Sequence, residues 1–247
     1  MDAAVVTVGD ELLSGDTENT NATWICRRLD ERGVTVERVT VVPDRVGDVA
    51  RVVNEYRAEY DAVVVTGGLG PTHDDLTMEG VAAAFGREVV EHPEALSWLV
   101  EEGGYAREDL AEGTADLPAG ARALHNEVGV APGAVVGSVY VLPGVPDEMK
   151  AMFEDVAGEF AGVERHRREV VADEPESALL DRLGGLQERF DVSVGSYPGE
   201  FVRVRIVGED PDEVDRAATW LADRVEAPDA DHPEATGADD PDAADLD

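Results

Sequence analysis

The segment from Thr66 to Thr77, TGGLGPTHDDLT, follows an apolar run, Ala62-Val63-Val64-Val65, and joins a glycine turn to two adjacent carboxylates. Gly67, Gly68 and Gly70 have no Cβ, so they can take positive φ and let backbone N–H groups approach a phosphate closely. Thr66, Pro71 and Thr72 flank these glycines. Asp74 and Asp75 supply hard oxygen ligands for Mg²⁺, or acceptors for ribose or water. The pattern lacks the lysine and hydroxyl that follow the glycines of a P-loop, and its spacing differs from G-x-G-x-x-G. A phosphate held here would depend on backbone amides, a helix N-terminus and a metal ion for neutralisation. The alternative is structural, since Asp75 or Thr77 could cap a helix beginning near Leu76.

Two other acidic segments also follow apolar runs. Gly9, Asp10 and Glu11 sit in VGDELLSGDTENTN, where hydroxyl and amide side chains (Ser14, Thr17, Asn19, Thr20 and Asn21) come next. Taken alone, that stretch reads as a solvated loop with a helix N-cap at Asn19 or Thr20. Asp44 follows Pro43 and precedes a helical pattern at Val46 and Val49, so capping is its plain alternative. His73 reads as a polar loop residue whose pKa range would also suit a base. His92, His125, His166 and His232 are scattered without zinc spacing, and no Ser/His/Asp or Cys/His arrangement occurs.

The elements that must position these residues follow from hydrophobic period. Ala3 to Val8, Val34 to Val42 and Ala62 to Val65 read as Val-rich buried strands; Asn19 to Arg32, closed by Gly33, and the segment carrying Val46, Val49, Ala50 and Val53 read as helices between them. Buried strands separated by helices predict a parallel sheet covered on both faces, with ligands at the carboxyl ends of its strands. Further helices are expected over Leu76 to Phe85, Pro93 to Gly103 and Asp147 to Glu159. Ala134 to Leu142 reads as a hairpin or bent strand, and Pro143 to Pro146 as a tight turn.

A shift at Arg165, His166, Arg167 and Arg168 marks the start of a second module. Its pattern is strand Glu169 to Ala172, helix Pro175 to Phe190, strands Val192 to Ser196 and Phe201 to Val207, and a helix from Pro211. The expected organisation is therefore an α/β three-layer domain over residues 1–163, a small β-α-β-β-α domain over 164–225, and a disordered acidic tail over 226–247.

Composition limits the partners. In 247 residues there are 55 acids against 20 basic residues, a net charge of −35, and Lys150 is the sole lysine. Such a surface repels nucleic acid and anionic membrane. Because the acids are spread along the chain, they read as a solvation device of a salt-adapted cytoplasm, where repulsion is screened over a few Å. The single cysteine, Cys26, excludes an internal disulfide and reads as a small helix residue turned inward. Trp24, Trp98 and Trp220 fall in apolar helical patterns and are assigned to packing. With no leader and no run of roughly 18 apolar residues, a soluble cytoplasmic protein is expected.

In chain order, VGDELLSGDTENTNATWICRRL, VVPD, TGGLGPTHDDLT, NEVGVAPG and LPGVPDEMKAMF resemble the molybdopterin-binding-like domain of the CinA (competence/damage-inducible protein A) family. The SALLDRL, VGSYPG and FVRVRIV runs resemble the small domain that follows it. The amidase domain of bacterial CinA proteins is missing from this sequence, so nicotinamide mononucleotide deamidation is not implied. What is implied is a three-layer fold shared with molybdenum-cofactor biosynthesis enzymes and, in the CinA branch, a metal-dependent pyrophosphatase acting on ADP-ribose or a similar dinucleotide.

By the same resemblance, Asp44 and Asp75 match the functional aspartates of molybdopterin adenylyltransferases; Asp74 stands where those enzymes carry a basic residue, a departure that speaks against an anionic pterin and for an additional Mg²⁺ ligand. Gly9, Asp10, Glu11, Asn21, Thr66, Gly67, Gly68, Gly70, Pro71, Thr72, Pro143, Gly144 and Pro146 form the substrate-binding set. Adenylyl transfer to molybdopterin, or nucleotide sensing without catalysis, would use the same loop. A homo-oligomer is expected from the family.

Overall fold

The structure, a computed structural model, describes residues 1–228. The part of the expected acidic tail from residue 229 onward, with His232, lies outside them. The chain divides into two compact units, Met1–Val163 and the residues from Glu164.

In the first unit β1 (Asp2–Val8), α1 (Asp10–Ser14), α2 (Thr20–Asp30), β2 (Thr35–Val42), α3 (Val46–Glu59), β3 (Ala62–Thr66) and α4 (Thr77–Ala84) follow in order. Next come β4 (Val89–Glu91), α5 (Pro93–Glu101), β5 (Asp116–Pro118), β6 (Arg122–Leu124), β7 (Gly133–Val136), β8 (Val139–Leu142) and α6 (Pro146–Val156). Six strands form one sheet in the order β2-β1-β3-β8-β7-β6. β2, β1, β3 and β8 run parallel, while β7 turns back against β8 as the expected hairpin.

Alternation across the pleat explains the layers. Ala4, Val6, Val63 and Val65 pack on one face with Val49, Val53, Val81 and Leu99, while Ala3, Val5, Ala62 and Val64 pack on the other with Ile25, Leu29, Met149 and Phe153. Both faces are buried, which is why these strands are apolar without a polar alternate. Asn19 caps α2 by accepting the Ala22 N–H at 3.2 Å, and Trp24 meets Phe153 edge-on. Cys26 is half-buried beside the same cluster, and burial pushes its thiol pKa up. The segment after Asp10, read as loop, forms the single short turn of helix α1; its apolar pair, Leu12-Leu13, is too brief to show a period. The short strands β4, β5 and β6 escaped the sequence pattern for the same reason.

The second unit contains β9 (His166–Ala172), α7 (Glu176–Arg189), β10 (Ser193–Tyr197), β11 (Val202–Gly208) and α8 (Pro211–Ala222), with its antiparallel sheet ordered β10-β11-β9. Val170, Val204, Ile206, Leu179, Leu186 and Val214 make a core of their own. Asp210 caps α8 and Pro211 occupies its first turn. Among the described residues, no helix is long and apolar enough to cross a membrane.

Candidate functional site: a carboxylate and glycine rim

β1 sends its next strand to one side and β3 to the other, so the strand order reverses at β1 and β3, where a crevice opens at their carboxyl ends. Three loops meet there, after β1, β2 and β3, and the loop after β8 joins them. The seams are pinned by hydrogen bonds. Gly9 N–H donates to Val42 O at 3.1 Å and Gly67 N–H to Leu142 O at 3.2 Å. Asn21 Nδ2 donates to Gly144 O at 2.8 Å, and Thr66 Oγ1 donates to Pro143 O at 2.5 Å.

The glycines answer to steric need. Gly67 sits at φ 104°, and a Cβ there would lie 2.2 Å from Val8 O. Gly68 sits at φ 63°, and its Cβ would lie 2.4 Å from Thr77 Oγ1. Both therefore need a residue without a side chain, for conformation and for close approach.

The crevice encloses about 390 Å³. Gly9, Glu11, Asn21, Asp44, Thr66, Gly67, Gly68, Gly70, Thr72, Asp74, Asp75, Gly144 and Pro146 all line it. Three expected members stand elsewhere. Asp10 contributes its backbone, donating N–H to Asp44 Oδ2 at 2.8 Å, while its own carboxylate lies outside the wall. Pro143 is behind the wall, holding Thr66 through its carbonyl. Pro71 faces a neighbouring cavity.

Asp44 does not cap α3: the N-cap position is Arg45, which makes no side-chain cap. Half-buried, Asp44 has its pKa raised by burial first; the Asp10 N–H opposes this, and the charges of Glu11, Asp10 and Asp74 reinforce it. Asp75 is tied into its own loop, accepting from Thr72 N at 3.0 Å and Thr72 Oγ1 at 2.5 Å. Asp74 accepts from the same hydroxyl, which with its own backbone N–H holds its pKa down. His73 is 99% exposed, with Nδ1 3.8 Å from Asp74, and forms no part of the crevice wall.

Neither Asp75 nor Thr77 caps α4 through its side chain, because Leu76 occupies the N-cap without a side-chain hydrogen bond. Thr77 Oγ1 is buried and finds no hydrogen-bond partner among the described residues. The sequence showed Thr77 only as a possible cap; its unsatisfied hydroxyl beneath Gly68 is visible only once α4 is folded against the loop.

No basic side chain lines the crevice, whereas Glu11, Glu18, Asp44, Asp74 and Asp75 do. Among the described residues, no three or more His, Cys, Asp or Glu side chains stand close enough to hold a metal ion by themselves. Asp44, Asp74 and Asp75 share one wall without converging into a ligand cluster.

Residues 4–162 match the family described as "Probable molybdopterin binding domain". The chain belongs to that family. Residues 164–231 match "FAD synthase, middle domain". An Archaeoglobus fulgidus protein is 37% identical over 88% of this chain and 95% of its own, and a Pyrococcus furiosus protein is 38% identical over 90% and 96%. The crystal structure titled "the protein CinA with unknown function" from Thermoplasma acidophilum is similar at 38% identity, covering 64% of this chain and 97% of that one, with a TM-score of 0.60. In this molybdopterin-binding-domain chain, four of the five segments quoted for the CinA resemblance contribute residues to the crevice, and NEVGVAPG does not.

Proposed function

We propose that this protein is a divalent-cation-dependent nucleotide pyrophosphatase that hydrolyses ADP-ribose or a similar dinucleotide. The observation that carries the reading is a nucleotide-sized crevice at the sheet's switch point whose wall offers glycine backbone and carboxylates but no basic side chain. Anionic phosphate is compatible with such a wall only through backbone amides, the uncapped start of α4 and a cation.

The residues fit a hard cation. Asp44 and Asp74 are carboxylates near enough to repel one another, and Mg²⁺ is commonly held by one or two carboxylates with waters and substrate phosphate completing its shell. When bound, the cation would withdraw charge from the phosphoryl oxygens. Asp75, already fixed by Thr72, would keep the glycine segment in shape, and Asn21 and Glu11 would orient the sugar. Hydrolysis forms one bond from water oxygen to phosphorus and breaks the bond from that phosphorus to the bridging oxygen, which leaves on the second phosphate. Asp44, its pKa raised by burial, would take the water proton.

A second reading, adenylyl transfer to molybdopterin, is favoured by the family match over residues 4–162. Purified protein with Mg²⁺ in strong salt is offered ADP-ribose in one assay and molybdopterin plus ATP in another. AMP and ribose 5-phosphate in the first support the proposal. Adenylylated molybdopterin alone would replace it, and equal turnover by Asp44→Ala would contradict it.

A further inference from the structure

The sheet of the second unit has its helices on one face. Val204 and Ile206 point to α7 and α8, where Leu179, Leu186 and Leu221 complete the core. Strand alternation sends their neighbours the other way. Pairing then sets Arg203 between Tyr197 and Val171, and Arg205 opposite Glu169, with Arg167 completing the open face. Arg167, Tyr197 and Arg203 are exposed. In a chain with 55 acids against 20 basic residues, three arginines beside one carboxylate reverse the prevailing sign.

Glu169 does little to balance them, lying 3.8 Å from Arg203 Nε, beyond hydrogen-bond length. Arg205 sets its guanidinium 4.9 Å from the centre of the Tyr197 ring, and its Nε is buried with no hydrogen-bond partner among the described residues. A buried N–H without an acceptor is costly, and a carboxylate reaching it would be screened by salt less than an exposed pair. The face is complementary to anionic oxygen. A second copy presenting the same face across a two-fold axis would set arginine against arginine, which disfavours self-pairing.

The chain itself carries the complementary charge. After α8 it returns to the end of β9, where Glu226 O accepts the Asp173 N–H at 2.7 Å and Glu226 N–H donates to Glu174 Oε1 at 2.8 Å. Asp173 follows directly on β9, so the chain reaches residue 228 at the corner of the sheet that holds Val171 and Arg203. Beyond it, residues 229–247 hold eight acids and neither Lys nor Arg. Extended, a chain of that length spans roughly 60 Å, whereas β9 covers only about 23 Å. Reach is no obstacle, and the tether holds these acids at an effective concentration on the order of millimolar.

We propose that the open face of the second unit is the docking site for the chain's own acidic carboxy-terminal segment, residues 229–247, whose carboxylates pair with Arg203 and Arg205. Docked there, the segment shields both arginines and Tyr197 from other anionic partners.

Paramagnetic broadening in the full chain, at fixed salt, tests the proposal. A nitroxide is attached at Ala238→Cys in a Cys26→Ala background, and backbone amide intensities are read with the label oxidised and reduced. The amides of Val171, Arg203 and Arg205 should lose about half of their intensity or more. Because a tether alone brings the label near, the deciding comparison removes charge. Arg203→Gln with Arg205→Gln should restore most of that intensity. So should Asp239→Asn, Asp240→Asn and Asp242→Asn together, a set that leaves the sheet and its core untouched should the arginine variant fold poorly. Undiminished broadening after the aspartate substitutions, or none in the starting chain, overturns the proposal. A mixture of isotope-labelled chain without nitroxide and nitroxide-bearing chain without isotope supplies the remaining outcome: broadening as large there shows docking between copies and overturns it as well.

Discussion

Asp44 in the first unit and Glu174 in the second are both half-buried carboxylates, yet their pKa values move in opposite directions. Glu174 is brought down to about 2 by hydrogen bonds from Arg182 and the Glu226 N–H, and Arg182 Nη2 lies 2.6 Å from its carboxylate. Asp44 is pushed up by burial, and the Asp10 N–H that opposes this is joined by three negative neighbours that do not. The second unit matches the Glu174 charge internally. The rim of the first leaves the Asp44 charge for something from outside, as it leaves the Thr77 hydroxyl. A half-buried carboxylate held among negative neighbours, beside an unpartnered hydroxyl, is what a ligand site would keep, because folding alone would select against it.

The comparison breaks most severely if the rim's backbone is altered without touching a charge. Gly67→Ala forces a Cβ against Val8 O at positive φ, and a loss of stability on the order of 3 kcal/mol is expected in urea unfolding of the full chain. Retention of wild-type stability would show that the rim has room the geometry denies.

Next comes Asp44→Asn, which keeps an acceptor for the Asp10 N–H but removes the repelled charge. Hydrolysis should fall by about a hundredfold or more, while thermal stability rises slightly near neutral pH. The sign follows from linkage: the native state holds this proton more tightly than the unfolded chain, so wild type loses stability as pH rises from the ordinary aspartate range through the raised value. The advantage of the variant should therefore vanish on acidification below about pH 4, which melting curves across pH would reveal.

Glu174→Gln should do the reverse. Its stabilisation is complete above the ordinary glutamate range and is lost as pH falls towards about 2. The variant should melt a few degrees lower at neutral pH, and the gap should close across that window. Should both variants shift in the same direction, the contrast between the units disappears.

The smallest effect belongs to His73→Ala. With its ring in solvent, turnover within about twofold of wild type and unchanged melting are expected; a large loss of activity would move the catalytic proton acceptor away from Asp44.

Much of this arrangement was legible from residue order. The Val-rich runs predicted β1, β2 and β3, and the segments after them were expected to share one rim, because parallel strands present their carboxyl ends together. Asn19 was readable as a cap from its place before an apolar period. What sequence could not show was contact at long range. Asp44 looks like a cap in one dimension, and only the approach of Asp10 from the loop after β1 makes it a half-buried acceptor. The cavity beside the crevice is assembled from α4, the segment around Tyr105 and the NEVGVAPG loop, and its separate pieces carry no shared pattern. Pro71, grouped by adjacency with the glycines, turns out to face that cavity.

The central claim is that the rim's charge is completed by a cation and a phosphate together. Thermal unfolding of the full chain, in fixed strong salt, with ADP-ribose alone, Mg²⁺ alone and both, tests it directly. The joint addition should raise the melting temperature by more than the two separate shifts combined, and Asp44→Asn should lose that excess. No shift with both present, or the same excess in Asp44→Asn, would contradict the account.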